Sequence, residues 1–167
     1  MTASDTIPGG RLMTLDIVGT VVFTGSAVVA AVVFDGAAKV QGVVVDLVLF
    51  AIGVATFLLG YWTAVQRSRQ DEMSVAELFF LLGTAIPARV KRTMNLCLIV
   101  QTAVAVTTAM ARLSTPSSTA PSGSSAGSTL AFGVLVPMFG LGLNGLWAAT
   151  HGSFGPRRKR HDDDAIG

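Results

Sequence analysis

VQGVVVDLVLFAIGVATFLLGYW, residues Val40–Trp62, carries a single charge, Asp46. A helix needs about 20 predominantly apolar residues to cross ~30 Å of hydrocarbon, and this stretch is long enough. Hydrocarbon demands that every backbone group be satisfied within the segment, so the stretch reads as a spanning helix. Three other runs share its character. Leu12–Phe34 holds one acidic residue, Asp16, while Thr93–Ala111 and Thr129–Ala149 hold no charge. The whole chain of 167 residues is 51% apolar and 13% charged, with a mean hydropathy of +0.62. Soluble domains carry about 25% charged residues. The expected fold is therefore all-α: an integral membrane four-helix bundle with spans at about 12–34, 40–62, 93–111 and 129–149.

Charge orients the spans. Of the 12 Lys and Arg residues, only Lys39 and Arg112 fall in the loops after spans one and three. Arg11 precedes the first span. Arg67, Arg69, Arg89, Lys91 and Arg92 lie between the second and third, and Arg157, Arg158, Lys159 and Arg160 follow the fourth. Basic residues near span ends stay cytoplasmic, which predicts both termini inside, in a cell membrane. Tyr61, Trp62 and Trp147 then fall at cytoplasmic helix ends, as an interfacial aromatic belt would. Leu12–Phe34 is longer than the 7–15 residues of a signal-peptide core and is read as a span.

The connections differ in kind. Residues 1–10 are expected to form a disordered cytoplasmic N-terminus. Residues 11–151 form the transmembrane domain. Its Ser/Thr/Pro/Gly-rich external loop covers 112–128, and the short loop Asp35–Lys39 makes the first two spans an antiparallel hairpin. Residues 152–167 form a cytoplasmic tail that passes from basic to acidic. Between spans two and three, Ser74 and Glu77 have the spacing of a capping box. An amphipathic interfacial helix over about 74–86 follows, ended or kinked by Pro87. Val75, Leu78, Phe79 and Leu82 share its apolar face. The segment reads as a connector resting on the membrane surface, a docking helix for a partner, or a re-entrant segment.

Polar residues inside spans are where function would lie. Asp16 and Asp46 both sit early in their helices, where the helix dipole favours negative charge. Gly53 and Gly60 follow Asp46 at heptad spacing, a small-residue stripe suited to close helix packing. Asp46 is the candidate protonatable site, with a structural hydrogen bond as the plainer reading. In the fourth span, Gly133, Pro137, Gly140, Asn144, Ala148 and His151 recur at spacings of three and four. They form a packing seam with a proline kink. Asn95 and Asn144 are expected at a depth comparable to Asp16, so Asp16, Asn95 and Asn144 form a candidate intramembrane polar cluster, read first as interhelical glue. Gln101 shares a face with Cys97, Ala105 and Thr108 and is expected to bond a neighbouring backbone.

The passages LDIVGTVVF (Leu15–Phe23) and LVPMFGLGLNGLW (Leu135–Trp147), the Ala/Val/Gly-rich spans and the Arg-favouring basic tail are similar to those of small four-span membrane proteins of actinobacteria. The resemblance implies a four-span membrane protein and carries no functional residue across.

Several chemistries find no footing. His151 and His161 are the only histidines, and neither lies within a span, so one chain cannot ligate a haem through two histidines in the bilayer. No Cys/His spacing resembles a zinc site, no phosphate-binding glycine loop follows a strand, and no Ser/His/Asp set presents itself. No catalytic, metal or cofactor-binding residue is expected, and the basic pI of about 9.1 belongs to the loops rather than to nucleic-acid binding. The expected partners are the lipid bilayer and either membrane-protein subunits or further copies of this chain. A non-catalytic accessory or assembly subunit of a larger membrane complex is the leading expectation. A small oligomeric proton-coupled transporter is the first alternative. It resembles small multidrug-resistance carriers in span count. Those use a membrane-embedded Glu in the first span, which this chain lacks, so Asp46 or Asp16 would replace it. A lipid-binding membrane protein, or a membrane enzyme, is the remaining alternative.

Overall fold

The computed structural model describes residues 9–32, 36–68, 74–82, 86–113 and 131–155. Its elements are α1 (Gly10–Val32), α2 (Gly36–Arg67), α3 (Val75–Phe79), α4 (Ala88–Leu113), a 3-10 turn (Ala131–Leu135) and α5 (Pro137–His151). Among the described residues there is no strand. Four stretches are long and apolar enough to cross a membrane: Gly10–Ala30, Val40–Arg67, Ala88–Met110 and Gly133–His151. Most of the expected N-terminal segment (residues 1–8), of the external loop and of the C-terminal tail lies outside the described residues.

Helix boundaries depart from the apolar runs in instructive ways. The second helix begins at Gly36 and continues to Arg67, past both ends of Val40–Trp62. At 1.5 Å per residue its 32 residues reach about 48 Å, well beyond a hydrocarbon core. The fourth span is two elements rather than one kinked helix. Pro137 lacks an amide proton and occupies the first turn of α5, where that loss is harmless. The residues before it form the 3-10 turn instead. Five residues at about 2.0 Å plus fifteen at about 1.5 Å still give roughly 32 Å.

The bundle is built around α5. Of its span, 61% is buried, against 28%, 22% and 22% for the other three. Its most extensive contact is with α2, and it also touches α1, α3 and α4. The α2 contact explains the heptad of small residues. A Cβ at Gly53 would lie 2.6 Å from the backbone of Phe139. Seven residues on in both helices, a Cβ at Gly60 would lie 2.7 Å from the backbone nitrogen of Leu146. Backbone thus meets backbone in constant register, so α2 and α5 run parallel. Arg67, the next heptad position, continues the pairing. Its guanidinium donates to the carbonyls of Ala149 at 2.7 Å and Gly152 at 3.2 Å, supplying donors at the end of α5. It also lies 5.8 Å from the centre of the Phe154 ring.

Trp147 corrects the aromatic belt. Tyr61 and Trp62 are exposed, 52% and 65%, but Trp147 is 1% exposed and is the largest buried side chain. The reason is the contact that α5 makes with the start of α1. Gly9, at φ +74°, lies over the indole, with His151 stacked against the ring at 5.6 Å. A helix-end position predicts an interfacial aromatic only when that end lies at the bundle's perimeter, and α5 lies at its centre. The contacts of Gly9 and Arg67 with the last turns of α5, and of Asn95 near the start of α4 with Asn144, gather Arg11, Arg67, Arg89, Lys91 and Arg92 at one end of the bundle.

Candidate functional site

Two groups of buried and half-buried polar residues lie between the helices. The first joins α1 to α4. Asp16 and Gln101 are both 0% exposed. The Gln101 amide nitrogen donates to Asp16 Oδ1 at 3.2 Å and to Thr20 Oγ1 at 2.7 Å. The Thr20 hydroxyl in turn donates to the Asp16 carbonyl one turn earlier, at 2.7 Å. The Cys97 thiol adjoins Asp16 and Thr20 from the preceding turn of α4. Asp16 Oδ2 and Gln101 Oε1 are buried with no hydrogen-bond partner, as is the hydroxyl of Thr24, one turn beyond Thr20.

The second group holds the segment after α2. Asn144 donates to the carbonyl of Phe79 at 3.1 Å and to Asn95 Oδ1 at 3.3 Å, and Asn95 donates to the carbonyl of Phe80 at 3.0 Å. These carbonyls end a helix of only five residues and lack intrahelical donors. The amides supply them. Asn144 Oδ1 is itself without a partner.

The expected Asp16–Asn95–Asn144 cluster is thus two clusters, with Gln101 the residue that completes the first. Asn95 and Gln101 are six residues apart on α4, about 240° around a helix of 3.6 residues per turn. Asn95 therefore bonds Asn144 of α5, while Gln101 bonds α1 and packs beside Gly140 of α5. Depth alone grouped Asp16 with Asn95 and Asn144, and the rotation of α4 turns Asn95 away from Asp16. Gln101 bonds two side chains of α1, not a neighbouring backbone, so its role was missed. Its spacing from Cys97 on one face was the available signal.

The connector between α2 and α4 also differs from expectation. The capping box is present, with Glu77 N donating to Ser74 Oγ at 3.1 Å and Ser74 N donating to Glu77 Oε2 at 3.4 Å. The helix that it starts covers Val75–Phe79, not 74–86. Leu81 then adopts φ +53°, a left-handed conformation that breaks the helix at a strain of roughly 1–2 kcal/mol. Leu78, Phe79, Leu81 and Ile86 are buried in the bundle. The Phe79 ring stacks on Phe57 of α2 at 4.4 Å and lies over Gly145 of α5. Of the proposed docking face, Leu78 and Phe79 are therefore already covered by the protein's own helices, and only Val75 and Leu82 remain exposed.

The other singled-out residues lie as follows. Asp46 is 6% exposed, and a Cβ at Gly133 would lie 3.6 Å from its Oδ2 and 3.7 Å from the Phe23 ring. Within the fourth-span seam, Gly133 faces Asp46, Gly140 faces Leu98 and Gln101, and Asn144 faces Asn95, while Pro137 opens α5. A groove of about 220 Å³ runs between α1 and α2, lined by Val22, Gly25, Ser26, Val29, Gln41, Gly42 and Val45. No group of three or more metal-ligating side chains occurs among the described residues. Comparison with protein-family models, with curated proteins and with solved structures gave no match.

Proposed function

We propose that the chain is a non-catalytic integral protein of the cell membrane, with both termini cytoplasmic, serving as an accessory or assembly subunit of a larger membrane complex. The groove between α1 and α2 carries this reading. Small residues mark where membrane helices approach one another. Gly53, Gly60, Gly140 and Gly145 each meet a neighbouring element of this chain. Gly25 meets nothing, and with Ser26 and Gly42 it leaves a furrow facing outward. A transmembrane helix of a partner subunit fits that furrow.

The orientation rests on the basic end of the bundle. In that orientation the chain from Ser74 to Leu82 enters from the cytoplasm. It reaches the level of Asn144, seven residues and about 10 Å inside the end of α5. Irregular backbone is tolerated at such depth only where protein satisfies it, which is what Asn95 and Asn144 do. The connector is thus a short re-entrant plug rather than a helix on the membrane surface.

The test is affinity purification of the tagged chain from native membranes, with Gly25→Leu alongside. The account expects stoichiometric membrane subunits with the wild type and their loss with Gly25→Leu, while the variant itself still inserts. A co-purified lipid in place of protein would instead support the lipid-binding alternative. The orientation is tested separately. A cysteine placed at Ser122 reacts with an impermeant thiol reagent from outside, and one at Ser68 does not.

A second reading, a small oligomeric carrier coupled to protons, draws on the two carboxylates buried inside spans, Asp16 at 0% and Asp46 at 6% exposure. A clean homo-oligomer in the same purification, together with loss of proton-coupled flux in Asp46→Asn or Asp16→Asn, would favour it over the first.

A further inference from the structure

We propose that Asp16 and Gln101 form a binding site for one monovalent cation, a proton or a sodium ion, between α1 and α4. Both side chains are fully buried. Their mutual bond at 3.2 Å and the Gln101–Thr20 bond at 2.7 Å fix the carboxylate and the amide relative to each other. Thr20 is itself anchored to the Asp16 carbonyl. What is left is two acceptors, Asp16 Oδ2 and Gln101 Oε1, with no donor for either. Two buried acceptors on one bonded pair are stabilised by one positive centre, because an unsatisfied buried polar atom loses its solvation without replacement.

Either cation suits this pair. A proton on Oδ2 turns that oxygen into a donor, and its natural acceptor is the amide oxygen of the glutamine that already donates to Oδ1. That closes a carboxylic acid–amide ring in which both orphan atoms find partners. A sodium ion is a hard cation and takes oxygen ligands of these two kinds. The groups facing Asp16 are Gln101 and Cys97 from α4 and Thr20 from its own helix, with Gly140 and Phe139 of α5 packed against Gln101 and Gly19. None of these is a base that could neutralise the carboxylate. On the α5 side the site is bounded by a glycine: a Cβ at Gly140 would lie 2.7 Å from Gln101 Oε1. The inference is independent of the subunit reading, since it assigns the bundle a cation-dependent state and no transport.

The experiment uses the full chain in lipid nanodiscs. Thermal unfolding is followed in sodium chloride against choline chloride at equal ionic strength. Infrared difference spectra between acid and alkaline buffer report carboxylic acid groups. The sodium form of the site predicts a higher midpoint in sodium than in choline for the wild type, and no difference for Asp16→Asn or Gln101→Leu. The proton form predicts no sodium effect. It predicts instead a carboxylic acid carbonyl band that disappears in Asp16→Asn, shifts in Gln101→Leu and survives in Asp46→Asn. Should Asp16→Asn fail to fold, Gln101→Leu and Gly140→Ala carry the test: both keep the carboxylate, the first removing the whole amide and the second crowding its oxygen. The proposal is overturned if sodium has no effect and no carboxyl band responds to these substitutions, or if the band follows Asp46 instead.

Discussion

The α2–α5 seam and the α1–α4 interface use polar groups in opposite ways. Along α2–α5 the helices meet backbone to backbone at Gly53 and Gly60, and the polar groups toward the Arg67 end donate to carbonyls of the chain itself. Arg67 supplies the last carbonyls of α5, and Asn144 with Asn95 supplies those of the Phe79–Phe80 segment. Between α1 and α4 the polar groups are acceptors in excess of donors, with a carboxylate among them. A region that closes its own backbone is scaffold. A region that buries a carboxylate and leaves oxygens unanswered is where a ligand would act. The difference teaches that burial, polarity and one unanswered oxygen do not by themselves mark a site: Asn144 Oδ1 is also without a partner but belongs to a neutral amide, whereas the α1–α4 pair adds a fully buried carboxylate.

The comparison can be broken at several points, with effects of decreasing size. Gly53→Leu places side-chain atoms where the Phe139 backbone lies. Neither helix can yield without separating the seam, so the loss should exceed the ~1–3 kcal/mol of ordinary overpacking. Size-exclusion chromatography in detergent should show aggregate in place of a monodisperse peak. Asn144→Leu leaves the Phe79 carbonyl buried without its donor, a loss of roughly 1–3 kcal/mol. Limited proteolysis should then cut within residues 74–82 faster than in the wild type, where Leu78, Phe79 and Leu81 are buried. Arg67→Ala removes two charge-assisted bonds at the α5 terminus. Reversible unfolding should register a smaller deficit, about 1 kcal/mol, since water can reach that end. Thr20→Val removes one acceptor of Gln101 from the α1–α4 interface. If that interface is a site rather than scaffold, the stability change should stay near the ~0.6 kcal/mol typical of an interhelical bond in membranes.

The four membrane-suited helices were legible because length and apolarity are properties of contiguous residues. The heptad of Asp46, Gly53 and Gly60 pointed to a close-packed face because that face is straight and shared with one partner. What could not be read depends on rotation and on which helix occupies the centre. Trp147 looked interfacial because its neighbours in sequence are at a helix end, and only the central place of α5 buries it. Asn95 and Gln101 looked separable by depth, whereas their angle around α4 decides their partners. Residues 74–86 looked like a surface amphipath because their apolar periodicity is genuine. Leu81 ends that periodicity with a left-handed turn, and no property of a leucine forecasts one.

The most direct test sets Asp16→Asn against Asn144→Leu in reversible unfolding of the full chain. Asparagine at position 16 keeps an acceptor for Gln101 and adds a donor that the orphan Gln101 oxygen can accept. In choline chloride, with no sodium to stabilise the wild type, the account predicts that Asp16→Asn is as stable as the wild type or more so, while Asn144→Leu loses roughly 1–3 kcal/mol. A loss in Asp16→Asn equal to that in Asn144→Leu would contradict it. The α1–α4 cluster would then be scaffold of the same kind as the seam.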